Sequence, residues 1–166
     1  FISTSIENIM YNGTEASFMG RGFPNVKVRD VFTDGDKNWF VYDDQLIFKK
    51  NKGFGTEKIP FSVSDITIQA YLINGNKEYF GTNKGLWLRE SNKEVKLLKN
   101  INVLTLKKLE DNNIIIGSKK GLYSLIRNVI NKITPEITDP KKLAKTAIRD
   151  IEIVSENEIW YSTFGM

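Results

Sequence analysis

The chain has 166 residues, of which 40% are apolar, 27% charged and 11% aromatic, and it carries a formal net charge of +4. That mixture is too apolar and aromatic for a disordered chain, and too charged for one embedded in a bilayer. Cysteine and histidine are both absent, which removes disulfide frameworks, thiolate and imidazole metal sites, cysteine nucleophiles and every triad with a histidine base.

In chain order, strand signals fall at 28–33, 39–42, 46–48, 66–73, 79–80, 103–109, 114–116 and 148–154. These runs are rich in Val, Ile, Tyr, Phe and Trp. They are bounded by Asp34-Gly35-Asp36, Asn74-Gly75-Asn76, Asn83-Lys84-Gly85, Asp111-Asn112-Asn113 and Lys119-Lys120-Gly121, where Gly or Asn can supply a positive φ. One stretch differs. In Thr138–Ala147, Asp139 followed by Pro140 reads as the cap and first position of a short helix. No run reaches the roughly 18 apolar residues of a membrane helix, and no signal peptide is visible. The chain opens on Phe1 and stops just after a strand-like run. The expectation is a segment of a longer polypeptide.

A repeat organises these elements. Tyr79-Phe80-Gly81-Thr82-Asn83-Lys84-Gly85-Leu86-Trp87 aligns without a gap on Ile115-Ile116-Gly117-Ser118-Lys119-Lys120-Gly121-Leu122-Tyr123, 36 residues later. Fainter copies begin at Trp39, without either glycine, and at Trp160. A second landmark keeps the same register, since Val28-Arg29-Asp30-Val31 returns as Ile148-Arg149-Asp150-Ile151. Four strands in about 40 residues, repeated, is the arithmetic of a propeller blade. The expected fold is therefore all-β, a β-propeller with about four blade repeats and part of a larger ring. Residues 1–27 would be outer strands of a preceding blade, 28–65, 66–102 and 103–147 would be blades, and 148–166 would start another.

These motifs resemble the two-component regulator propeller repeat. Val28-Arg29-Asp30-Val31 with Asp34-Gly35 and Trp39 is similar to its first half. Phe80-Gly81-Thr82-Asn83-Lys84-Gly85-Leu86 and Ile116-Gly117-Ser118-Lys119-Lys120-Gly121-Leu122 are similar to its second half. The resemblance covers about residues 24–166. It implies a periplasmic or cell-surface sensor module of a membrane-bound regulator that binds a small molecule such as an oligosaccharide. The alternative it implies is a protein-binding scaffold in a surface or secretion assembly.

Chemistry-bearing patterns are sparse. Trp39, Tyr79, Ile115 and Trp160 share one repeat position and read as side chains filling the gap between blades. Asp34, Asp36 and Asn38 alternate like the start of a calcium loop, but Trp39 and Gln45 stand where Gly and Glu are needed. Gly53-Phe54-Gly55 with Lys58 lacks P-loop spacing. Neither a metal nor a cofactor is expected. Lysine clusters such as Lys49-Lys50 and Lys107-Lys108 alternate with acidic turns such as Glu110-Asp111, so no nucleic acid is expected. Only carboxylates remain as acid/base candidates, and Asp30 and Asp150 are equivalent by repeat, not by chemistry. No enzyme is expected. Turns 43–45, 83–85 and 119–121 would lie on one face with the entrances of the first strand of each blade. The expected ligand site is Arg29, Asp43, Asp44, Asn83, Lys84, Lys119, Lys120 and Arg149. Open sheet edges further predict association with the rest of the chain or with a second copy, as a homodimer.

Overall fold

The computed structural model describes residues 2–3, 8–11, 16–18, 28–34, 37–43, 45–50, 53–58, 65–134, 147–155 and 158–164. The expected helix at 138–147 falls mostly outside them, as do Asp36 and Asp44. Apart from one 3-10 turn at Glu110–Asn112, the regular elements among the described residues are all β-strands. No helix among them is long and apolar enough to cross a membrane. The chain divides into two compact units, Phe1–Ile68 and Gln69–Met166.

The first unit holds a three-stranded antiparallel sheet, β1 (Ile2–Ser3), β2 (Asn8–Tyr11) and β3 (Ala16–Phe18). A four-stranded meander follows, β4 (Asp30–Asp34), β5 (Lys37–Val41), β6 (Gln45–Lys50) and β7 (Gly53–Lys58). Consecutive antiparallel strands need only short turns, and each pairs with its chain neighbour. Val28, Phe40, Tyr42 and Ile47 form its core, and Trp39 is 4% exposed.

The second unit repeats the meander. One sheet contains β8 (Ile68–Asn74), β9 (Lys77–Thr82), β10 (Gly85–Glu90) and β11 (Lys93–Lys99). The next contains β12 (Val103–Lys108), β13 (Ile114–Ser118), β14 (Gly121–Ile126) and β15 (Val129–Ile133). A two-stranded sheet, β16 (Ala147–Ser155) and β17 (Glu158–Phe164), completes the unit.

Side chains alternate across a strand, so each sheet offers two faces. From β8–β11, Ala70, Tyr79, Leu86 and Leu88 pack against Val103, Leu106, Ile114, Ile116, Tyr123 and Leu125. On the other face of that second sheet, Ile115 and Leu122 pack against Ile148 and Ile151 of β16. The run Ile114-Ile115-Ile116 is thus apolar without a break because both of its faces are covered. Fully burying each such side chain contributes about 1.5–3 kcal/mol.

Two glycines explain how closely the sheets approach. A Cβ on Gly81 would meet Val103 Cγ1 at 2.7 Å. A Cβ on Gly117 would meet Thr105 Cγ2 at 2.5 Å and Ile148 Cγ2 at 2.9 Å. In each case the first strand of one sheet bears on a glycine in the second strand of the sheet before it.

One expectation needs correction. Trp39, Tyr79 and Ile115 are buried as gap-filling residues should be, but Trp160 is 64% exposed. Tyr79 and Ile115 are covered by the sheet that follows theirs, and no described sheet follows β17. Instead the Trp160 indole donates to Glu158 Oε1 at 2.8 Å.

Candidate functional site

The Gly-Thr/Ser-x-x-Gly repeat makes one turn twice. Between β9 and β10, Thr82 Oγ1 accepts from the Lys84 N–H at 3.1 Å and donates to the Gly85 carbonyl at 2.8 Å. Between β13 and β14, Ser118 Oγ accepts from the Lys120 N–H at 3.0 Å and donates to the Gly121 carbonyl at 2.8 Å. Both hydroxyls are fully buried, so their bonds are shielded from water. The last turn residue sits at φ 137° in Gly85 and 105° in Gly121, conformations that L side chains rarely adopt. A Cβ on Gly85 would stand 1.8 Å from the Leu98 carbonyl oxygen. Each turn is also tied to the segment leading into β12, through Asn100 N–H to the Lys84 carbonyl at 3.1 Å and Lys119 N–H to the Asn102 carbonyl at 2.9 Å. These locks hold exposed Lys84, and exposed Lys119 and Lys120, at one end of their sheets, with Asn83 half-buried beside Lys84.

The equivalent turn between β5 and β6 lacks the glycines. Its anchor is a bidentate ion pair, with Arg29 Nε 2.5 Å from Asp43 Oδ1 and Nη2 3.1 Å from Oδ2. The Asp43 carbonyl accepts from the Ile68 N–H at 2.9 Å. Of the expected site residues, the structure brings Arg29 and Asp43 together as mutual partners, and Asp44 lies outside the described residues.

Arg149 owes its position to a β-bulge. The β16–β17 register runs from Ile148↔Thr163 to Asp150↔Ser162, which leaves Arg149 outside the ladder and exposed. The same skip occurs at Leu104, between Val103↔Ser118 and Thr105↔Gly117. Asp30 and Asp150 have a backbone task, since each Oδ1 accepts from the next N–H, that of Val31 or Ile151, at 2.9 Å. Among the described residues no group of His, Cys, Asp or Glu is placed to hold a metal ion.

A polar cluster that the sequence did not announce spans β8, β9 and β10. Arg89 Nε lies 2.5 Å and Nη2 2.6 Å from the Glu78 carboxylate, and the Tyr71 phenol donates to Glu78 as well. The Arg89 guanidinium also stands 5.4 Å from the centre of the Phe80 ring. Burial pushes the Glu78 carboxyl up, but the bonds from Arg89 and Tyr71 outweigh it and hold the group below its ordinary value. The direct pairing Arg89↔Glu78 in the β9–β10 register creates this contact, and the only sequence signal for it was opposite charges placed symmetrically about the turn.

The chain matches no protein-family model, and no curated protein matches it. Solved structures do resemble it. The extracellular domain assigned to the hybrid two component system BT4673 of B. thetaiotaomicron aligns with TM-score 0.73 and 16% identity, over 97% of this chain and 24% of that one. The corresponding domain of BT3049 from the same organism aligns with TM-score 0.50 and 15% identity, over 97% and 29%. A catalytically inactive histidine-to-alanine variant of virginiamycin B lyase from Staphylococcus aureus aligns with TM-score 0.65 and 12% identity, over 93% and 54%. This chain spans about a quarter of the length of the two-component sensor domains it resembles. At such identities the likeness speaks to architecture, and with the sheets described above it makes the chain a set of β-propeller blades.

Proposed function

We propose that this chain belongs to a non-enzymatic recognition propeller, the extracytoplasmic sensor region of a membrane-bound two-component regulator, located in the periplasm or at the cell surface. Its ligand would be a small molecule such as an oligosaccharide. The observation that carries the reading is the twice-built hydroxyl-locked turn, which fixes the backbone of exposed Lys84 and Lys120 at the same end of successive sheets. Preorganised polar groups at the ends of blades cost little to order when a ligand arrives. Asn83, Lys119 and the bulged Arg149 would add contacts. The fold likeness to extracellular sensor domains supports the same reading. The lyase likeness does not support catalysis here, because that enzyme is inactivated by losing one histidine and this chain has none.

Titration calorimetry of the full-length protein against an oligosaccharide panel tests this. Binding lost in the Lys84→Ala/Lys120→Ala double variant supports the site, and an unchanged isotherm removes it.

A further inference from the structure

The segment between β11 and β12 runs from one lysine turn to the other. Lys99 pairs with Gly85 in the β10–β11 register, so it closes β11 beside the turn that carries Lys84. The next residue, Asn100, donates its N–H to the Lys84 carbonyl, and the Asn102 carbonyl accepts from the Lys119 N–H. Residues 99–102 thereby gather exposed Lys84, Lys99, Lys119 and Lys120 at one end of the second unit. The bulge of β16 adds exposed Arg149 at the same end, where Ile148 bears on Gly117.

The carboxylates of this unit are sorted the other way. Glu78, Glu90, Glu94, Glu110, Glu152 and Glu158 lie toward the opposite ends of their sheets. Ion pairs form there, joining Lys77 to Glu90, Arg89 to Glu78 and Lys107 to Glu152. The described carboxylate at the lysine end is Asp150, and its Oδ1 accepts from the Ile151 N–H. Gathering like charges costs a repulsion that a bound anion relieves.

Apolar exposure follows the carboxylates. Val95, Ile126, Val129, Val154 and Trp160 are exposed, and all lie in the halves of their strands away from the lysine turns. A nucleic acid needs exposed rings for its bases to stack on, and a membrane surface needs apolar side chains to insert. Among the side chains described, the lysine end offers neither.

We infer, resting on the reading of the site given above, that its ligand is an acidic oligosaccharide, a sugar chain whose carboxylate or sulfate groups meet these cations. Equivalent turns in stacked sheets stand about 10 Å apart, so the cations suit charges spaced along a chain better than one compact anion. The amides of Asn83 and exposed Asn100 lie beside the lysines and suit the hydroxyls between those charges.

The experiment is calorimetric titration of the full-length protein with a heparin hexasaccharide, a galacturonate hexasaccharide, neutral maltohexaose and a hexathymidylate oligonucleotide. At least one acidic sugar should bind at least about tenfold more tightly than maltohexaose at low ionic strength, and should weaken as salt is added. Preference for heparin would assign the cations to sulfate, and preference for galacturonate to carboxylate. Lys99→Gln/Lys119→Gln should weaken the preferred sugar by at least about fivefold, whereas Lys93→Gln, in the hairpin at the opposite end, should leave it unchanged. Maltohexaose bound as tightly as both acidic sugars, and released by Lys84→Ala/Lys120→Ala, would overturn the acidic ligand and leave the site standing. No response to any of the three sugars would overturn both. Hexathymidylate bound more tightly than either acidic sugar, or an unaltered isotherm for Lys99→Gln/Lys119→Gln, would overturn the acidic sugar alone.

Discussion

The turns after β9 and β13 and the turn after β5 occupy one position in the repeat but are anchored by different chemistry. In the first two, a buried hydroxyl bridges residues two and three positions ahead, and a glycine completes the reversal. In the third, a side chain 14 residues upstream clamps the turn through a carboxylate. A hydroxyl lock is local and dry, so it is indifferent to salt. The Arg29–Asp43 clamp is wet, with side chains 32% and 48% exposed, and the solvent screens it. Where the glycine pattern is lost from a blade, the turn survives by borrowing a weaker anchor from farther away.

The largest expected effect breaks the local lock at its backbone. Gly85→Ala drives a Cβ into the Leu98 carbonyl oxygen at a φ of 137°, and the combined overpacking and strain should cost on the order of 3 kcal/mol or more. Urea titration would read this as a lower midpoint, and an unchanged midpoint would refute the glycine argument. Next comes the more sheltered ion pair, Arg89–Glu78. Because the Glu78 carboxyl is held below its ordinary value in the folded protein, it contributes stability above the ordinary carboxylate range. That contribution is lost as pH falls through the lowered folded value. Glu78→Gln should therefore cost about 1–3 kcal/mol at neutral pH and flatten the acid limb of a Tm-versus-pH curve. A curve that keeps the wild-type slope would count against it.

Removing one hydroxyl is a smaller change. Ser118→Ala leaves the Lys120 N–H without its bond in a part-buried turn, for an expected loss of about 1–2 kcal/mol that should be the same in low and high salt. The smallest effect should come from the clamp. Asp43→Asn is expected to cost at most about 1 kcal/mol at low ionic strength and almost nothing in molar salt. If the salt dependences of Ser118→Ala and Asp43→Asn were alike, the distinction between the two anchors would fail.

Much of the architecture was legible because it is written in local chemistry. Gly85 and Gly121 announce a reversal through their composition, and the β-branched run Ile114-Ile115-Ile116 announces a strand. The periodicity that revealed the all-β blade pattern is a property of short windows. What was hidden depends on register and on neighbours. Glu78 meets Arg89 because β9 and β10 pair in one particular register. Asn74 faces the Asn112 carbonyl because two sheets dock, although the sequence showed both asparagines only as turn residues. Trp160 shares its repeat position with Tyr79 yet is exposed, since burial is set by the next sheet and not by the residue itself. The lysines of the candidate site were visible as charges in turns, but the partnership of Arg29 with Asp43 was not.

The glycine contacts between sheets carry a consequence for how such a chain can change length. Gly81 meets Val103 after 22 residues, whereas Gly117 meets Ile148 after 31. The same docking is reached with nine more residues in between. Sheet spacing is therefore keyed by a notch and a peg, and the tether connecting them is free to vary. Closing a longer tether costs only a slowly growing entropy, so a lengthened connection between notch and peg is expected to leave the stacking of the sheets untouched.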